Sequence, residues 1–153
     1  MTTFPLSALP VGSWPAITMP SGFNSLANAA STLSTGEIDN SPDAARYDWI
    51  NVVVNLGSFS PSAGAVVEGT LVPKLNGSYP SIAGATWPIG SLLFPQAMCS
   101  IDSGSGAKIA FLGFRVVLPV PHKLLIRNGT GVAFAATGNS VVWAGALRET
   151  RTT

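Results

Sequence analysis

The sequence has few charged residues, and its first 36 positions have none. Asp, Glu, Lys and Arg make up 10% of the 153 residues, against about a quarter in an average soluble domain, and the net charge is +1. Nucleic-acid binding depends on clustered Lys and Arg, whereas the eight basic residues of this chain are scattered singly. The composition argues against a nucleic-acid partner, and a surface so short of charge suggests that other protein subunits cover part of it.

Cysteine and histidine occur once each, which limits the chemistry that the chain can perform. Cys99 has no partner for an intrachain disulfide, so synthesis in the cytosol is predicted, with Cys99 as a small buried apolar residue. One histidine and one cysteine cannot supply the four ligands of a structural zinc site. His122 has no evident carboxylate partner, and Asp102 lies in a Ser/Gly-rich loop. We therefore predict no catalytic, metal or cofactor site, and no enzyme activity.

The uncharged leader is interrupted by proline at positions 5, 10, 15 and 20. These prolines leave neither the apolar core of a signal peptide nor the run of about 20 apolar residues that a membrane helix needs, so no membrane association is expected. Proline also favours extended backbone. We predict an extended arm over residues 1–45 whose apolar side chains bind a partner. These side chains are Phe4, Leu6, Leu9, Val11, Trp14, Ile17, Met19 and Phe23.

From residue 46 onward the apolar residues alternate with a period of two, which is typical of strands. In RYDWINVVVNL the even positions from 50 to 56 are all aliphatic and predict one core face. The opposite face carries Tyr47, Trp49 and Val53, which a monomer would expose to solvent. We predict that these three residues form a subunit interface.

Further alternating segments predict an all-β domain over residues 46–153. AVVEGTLVPKL is expected to pair with the preceding strand, and AKIAFLGFRVVLP at 107–119 to form the longest strand. HKLLIR, VAFAAT and SVVWAGALR predict a three-stranded meander, and an Asn76-Gly77 turn follows the second strand. The only helical candidate is SLANAASTL at 25–33. This number of short strands favours a jelly-roll-like β-sandwich.

Four short motifs resemble those of a known group of proteins. They are the Tyr-Asp-Trp strand at 47–49, Ala-Gly-Ala at 63–65, the Asn-Gly-Ser-Tyr-Pro turn at 76–80 and the Asn-Gly-Thr-Gly…Gly-Asn segment at 128–139. Over roughly residues 46–143 the chain resembles jelly-roll head decoration (cement) proteins of tailed bacteriophages. The leader is not covered by this resemblance.

The resemblance implies a virion protein on the outer capsid surface that binds the major capsid protein, stabilises the head and is commonly a homotrimer. It brings no catalytic residues and no cofactor. Two alternatives stay open. One is another phage structural protein, such as a minor capsid, tail or fibre-attachment component. The other is a carbohydrate-binding jelly-roll module, for which the four tryptophans would supply stacking surfaces.

Overall fold

The chain folds into two antiparallel β-sheets. The computed structural model describes residues 14–41, 47–80, 96–116 and 118–146. A single turn of 3₁₀-helix, Ser21–Phe23, precedes the strands. The strands are β1 (Ser31–Leu33), β2 (Trp49–Phe59), β3 (Val66–Pro73), β4 (Gln96–Ser100), β5 (Gly106–Arg115), β6 (His122–Gly129) and β7 (Ser140–Ala146).

One sheet has the strand order β1-β6-β3-β4 and the other has the order β5-β2-β7. Among the described strands, every connection along the chain passes from one sheet to the other, except that between β3 and β4. Such connections bring the apolar faces of both sheets together around one core. The predicted all-β fold and β-sandwich architecture are therefore confirmed.

Strand β2 shows how the sequence pattern positions the core. Its even residues Ile50, Val52, Val54 and Leu56 are buried between the sheets, as the alternation predicted. Side chains alternate across a strand, so the odd residues of β2 from Trp49 to Asn55 point away from the core. Residues of β5 continue the same layer, with Leu112 paired to Val52 and Phe114 paired to Ile50.

The predicted strand pairings were wrong in two places. Strand β3 pairs with β4 and β6 and lies in the sheet opposite β2, although the two strands are consecutive. The meander at the C-terminal end is absent as well, because β6 and β7 belong to different sheets and residues 132–137 form no strand. Alternation within a strand identifies its inward face but contains no information about which strand lies beside it.

Residues 14–41 are part of the sandwich, which corrects the predicted boundary at residue 46. Strand β1 pairs with β6, and Ile38 forms a two-way backbone bridge with His122. Phe23, Leu26 and Ile38 are buried in the same core as β2. Phe23 was predicted to bind a partner protein, but it is buried against the chain's own core.

Two local predictions had opposite outcomes. The turn at Asn76-Gly77 is confirmed, because both residues have positive φ and Leu75 and Ser78 exchange backbone hydrogen bonds. The helical candidate at 25–33 is wrong. Ser25 and Ala29 have positive φ, which interrupts any α-helix, and the segment ends in β1.

Candidate protein-interaction surface

The outward side of the sheet β5-β2-β7 carries large apolar side chains. We call this side the outer face. Strand β5 buries alternate residues from Lys108 to Phe114, which turns Ile109 and Phe111 outward. Ile109 is 67% exposed and Phe111 is 51% exposed, and Trp49 on β2 is 49% exposed. Three large apolar residues on one sheet face, each about half exposed or more, are typical of a contact surface.

The register brings apolar residues of the outer face into one row. Val53 on β2 lies directly opposite Phe111 on β5 and directly opposite Val142 on β7. Val142 in turn bridges Ala16, which belongs to the segment before the first strand. Directly opposed residues of antiparallel strands have Cβ atoms about 4.5–5.5 Å apart. The row is therefore a continuous apolar strip that crosses the sheet.

Charge is nearly absent from the outer face. The described residues of this face are Trp49, Asn51, Val53, Asn55, Ala107, Ile109, Phe111, Gly113, Arg115, Ser140, Val142, Ala144 and Ala146. Arg115 is the one charged residue among them, and it lies opposite Trp49 at one end of the sheet. Association through this face would thus depend mainly on burial of apolar area.

The chain itself closes the β7 edge of this sheet. The amide of Ile17 donates to the carbonyl of Val141 (2.8 Å), and the amide of Trp143 donates to the carbonyl of Pro15 (3.0 Å). The same register places half-buried Trp14 opposite Ala144, on the outer face. Residues 15–17 therefore behave as a short additional strand that satisfies the outward backbone groups of β7.

Two of the three residues predicted as a subunit interface lie on the outer face. Trp49 and Val53 point outward, and their role in a subunit contact stays a prediction. Tyr47 does not join them, because its ring packs edge-on against Trp143 with ring centroids 5.7 Å apart. A Cβ atom at Gly145 would lie only 2.1 Å from the Tyr47 ring, so the ring occupies the inner side of β7 at that glycine. Alternation fails for Tyr47 because it precedes the strand.

Most described residues of the predicted partner-binding arm contact the protein's own core. Ile17 and Phe23 are buried, and Met19 packs against the same core. The rings of Phe23 and Phe134 meet edge to face at 5.8 Å. The prediction that Ile17, Met19 and Phe23 bind a partner was therefore wrong, because they pack in or against the core. Of the described arm residues in that prediction, Trp14 lies on the outer face. Phe4, Leu6, Leu9 and Val11 lie outside the described residues.

Sequence reasoning missed Ile109 and Phe111, the two β5 residues on the outer face. The strand was predicted, but no contact was predicted for its outward side. The signal was present, because the same alternation that buries Ala110 and Leu112 must turn Ile109 and Phe111 outward. Large apolar residues on both sides of a strand whose outward side has one charged residue, Arg115, indicate a second layer or a partner.

His122, Asp102 and Cys99, the residues considered above for catalysis or metal binding, each contact the protein's own side chains or core. His122 is buried at the first position of β6, and burial lowers its pKa to about 4. Asp102 accepts a hydrogen bond from Lys108 Nζ (2.5 Å), which lowers the pKa of the carboxyl group and pairs an ammonium buried on the inner side of β5. Cys99 is half-buried against the core with a free thiol.

The described part of the chain contains no group of three or more His, Cys, Asp or Glu side chains placed to hold a metal ion. It also contains no helix with the length and apolar character needed to cross a membrane. Compared with protein-family models, with curated proteins and with solved structures, the chain gives no match.

Proposed function

We propose that this protein is a virion structural protein, a head decoration or cement protein of a tailed bacteriophage that binds the major capsid protein and stabilises the capsid. The observation that carries the proposal is the exposed apolar surface of the outer face, on which Trp49, Ile109 and Phe111 lie and Arg115 is the one charged residue among the described residues. Such a face needs a protein partner, since exposed apolar patches of this kind mark interaction sites.

Two further features support a structural role. The motifs at residues 47–49, 63–65, 76–80 and 128–139 resemble those of phage decoration proteins, and the β-sandwich agrees with that resemblance. His122 and Lys108, two of the described residues that could take part in acid–base chemistry, are buried. The proposed partner is the capsid surface, and the proposed contact is the outer face.

Binding to phage heads assembled without this protein tests the proposal. The wild-type chain should co-sediment with such heads and raise the temperature at which they break open. Trp49→Ala should weaken binding about thirtyfold, because truncation of a buried interface aromatic often costs about 2 kcal/mol or more. Thermal unfolding of the free variant should change little, since Trp49 lies outside the core.

Met98→Ala is the matched control, because Met98 is a large apolar residue that is 65% exposed on β4, in the other sheet. It should bind heads as the wild type does. The proposal is wrong if the wild-type chain does not co-sediment, or if the two variants weaken binding equally.

One observation favours a second candidate function, glycan binding. Asn51 and Asn55 alternate with Trp49 and Val53 on the outer face, so aromatic and amide side chains lie side by side there. Asn55 already donates to the hydroxyl oxygen of Ser140 (3.3 Å), which leaves Asn51 as the better-placed sugar ligand. A glycan array would distinguish the two functions, because a decoration protein is expected to bind none of the sugars.

A further inference from the structure

We infer that two copies of this protein associate through the β5 edge, with strand β5 of one copy pairing antiparallel with β5 of the other around a twofold axis at Phe111. The two three-stranded sheets would then form one six-stranded sheet with a shared outer face. This inference is independent of capsid binding, because it concerns the isolated protein.

The hydrogen-bonding pattern of β5 leaves alternate backbone groups directed outward. The amide of Val116 donates to the carbonyl of Asp48 (2.8 Å), and this pair continues the register of β2 and β5. In an antiparallel pair the hydrogen-bonded positions alternate, so the even residues of β5 bond to β2. The amide and carbonyl groups of Ile109, Phe111 and Gly113 therefore point away from the sheet. Among the described residues, no backbone hydrogen bond reaches these groups.

Within residues 14–41, 47–80, 96–116 and 118–146, the β5 edge has no feature that prevents pairing with another strand. Natural edges are usually protected by short length, proline, charge or a covering segment. Strand β5 has ten residues and no proline. Its two charged residues are Lys108, which is buried with its ammonium bonded to Asp102, and Arg115 at the strand's end. The opposite edge of the same sheet, on β7, is protected by residues 15–17.

The side chains of β5 complement one another in this register. Phe111 lies opposite the Phe111 of the second copy, and Ile109 lies opposite its Gly113. A Cβ atom at Gly113 would meet only Asn51 Oδ1, at 3.5 Å, so packing within the chain does not require glycine there. A glycine inside a strand often marks close approach by another group. The space above Gly113 would accommodate Ile109 of the partner copy.

Charge placement also favours a second copy. In this register Arg115 lies opposite Ala107 of the other chain, so the Cα atoms of the two arginines are about 26 Å apart along the strands, at about 3.3 Å per residue. No like charges are directly opposed, and such opposition would be destabilising.

The N-terminal segment 1–13 fits this edge less well than a second β5. Pro5 and Pro10 occupy positions of opposite parity, so a strand that contained both would direct one proline, which has no N–H group, towards β5. A twofold contact joins copies in pairs, and a homotrimer of the kind that the sequence resemblance implies would need a different contact.

Analytical ultracentrifugation of charge variants at Phe111 tests the proposal. The wild-type chain should sediment as a dimer. Phe111→Lys and Phe111→Glu should each raise the dimer dissociation constant about tenfold or more, because the substitution places two like charges opposite each other at the axis. An equimolar mixture of the two variants should restore the dimer, since Lys and Glu are then opposed. Met98→Lys, a charge of the same kind on β4, should leave the dimer unchanged.

Three results of these experiments would contradict the proposed dimer. A wild-type chain that stays monomeric at millimolar concentration overturns the proposal, as does an oligomer that Phe111→Lys leaves intact. If the mixture of Lys and Glu variants stays monomeric, the twofold axis at Phe111 is wrong. Circular dichroism spectra of all variants should match the wild type, because Phe111 lies outside the core.

Discussion

The two edges of the three-stranded sheet differ in whether their outward backbone groups have hydrogen-bond partners among the described residues. At the β7 edge, Pro15 and Ile17 supply the hydrogen-bond partners for the outward groups of Trp143 and Val141. At the β5 edge, the outward groups around Phe111 have no backbone partner among the described residues. The comparison shows that the described part of the uncharged leader, residues 14–36, completes its own domain. The unprotected edge adjoins the apolar outer face, where a partner would bury both.

Truncation of the leader at two positions should have the largest effect on stability. Deletion of residues 1–13 keeps every contact between described residues and should leave a folded domain. Deletion of residues 1–36 also removes Ile17, Phe23, Leu26 and β1, and core side chains contribute about 2–5 kcal/mol each. That loss is comparable to the whole stability of a typical domain, about 5–15 kcal/mol, so the shorter chain should be unfolded. Circular dichroism would measure both results, and a folded 37–153 fragment would show that the leader is dispensable.

Glycine substitutions on opposite sides of the sheet test which side is packed. A Cβ at Gly145 would lie 2.1 Å from the Tyr47 ring, so Gly145→Ala should destabilise the domain by about 3 kcal/mol or more. Gly113→Ala on the outer face meets only an ordinary contact, and it should stabilise the monomer by about 0.5 kcal/mol through the lower backbone entropy of its unfolded chain. Urea unfolding at low protein concentration would measure both. Equal losses of stability would mean that the outer face near Gly113 is covered within the chain.

Acid should weaken the sandwich where the leader meets β6. His122 bridges Ile38 through two backbone hydrogen bonds, and burial lowers the pKa of its imidazole from 6.5 to about 4. Between these pH values the unfolded state binds more protons than the folded state. The free energy of unfolding should therefore fall as the pH decreases from 6.5 to 4, by up to about 3 kcal/mol in total.

His122→Gln is the control for this pH dependence, because glutamine is polar but does not titrate. Its unfolding free energy should depend less on pH than that of the wild type over this range. Identical slopes for the two proteins, measured by urea unfolding at a series of pH values, would assign the acid sensitivity to carboxyl groups.

Salt should have the smallest effect. Arg115 is the only charged residue among the described residues of the outer face, so there is little Coulomb attraction for ions to screen. Attachment to phage heads should persist in about 1 M NaCl, where apolar burial is retained, and should be lost in guanidinium. Detachment by NaCl alone would instead indicate that charge pairs hold the protein on the capsid.

The sequence was sufficient for features that depend on local pattern. The alternation of Ile50, Val52 and Val54 predicted the buried side of β2. The pair Asn76-Gly77 predicted the turn after β3, because glycine and asparagine tolerate positive φ. On the outer face, the same alternation placed Trp49 and Val53 correctly.

Features that depend on contacts distant in sequence could not be predicted in this way. Whether β2 neighbours β3 or β7 is decided by how all the apolar faces are buried together, and alternation is the same in either arrangement. The leader illustrates the same limit, since Ile17 and Phe23 suit a partner's surface and the chain's own core equally well in composition.

Residue-resolved hydrogen exchange by NMR, over a series of protein concentrations, tests most directly that one edge is closed by the chain and the other awaits a partner. The amides of Ile17 and Trp143 should be protected at every concentration, because their acceptors belong to the same chain. The amides of Ile109, Phe111 and Gly113 should exchange fast in dilute protein and become protected as its concentration rises. Protection of these three amides that does not change with concentration, whether strong or absent, would contradict the account.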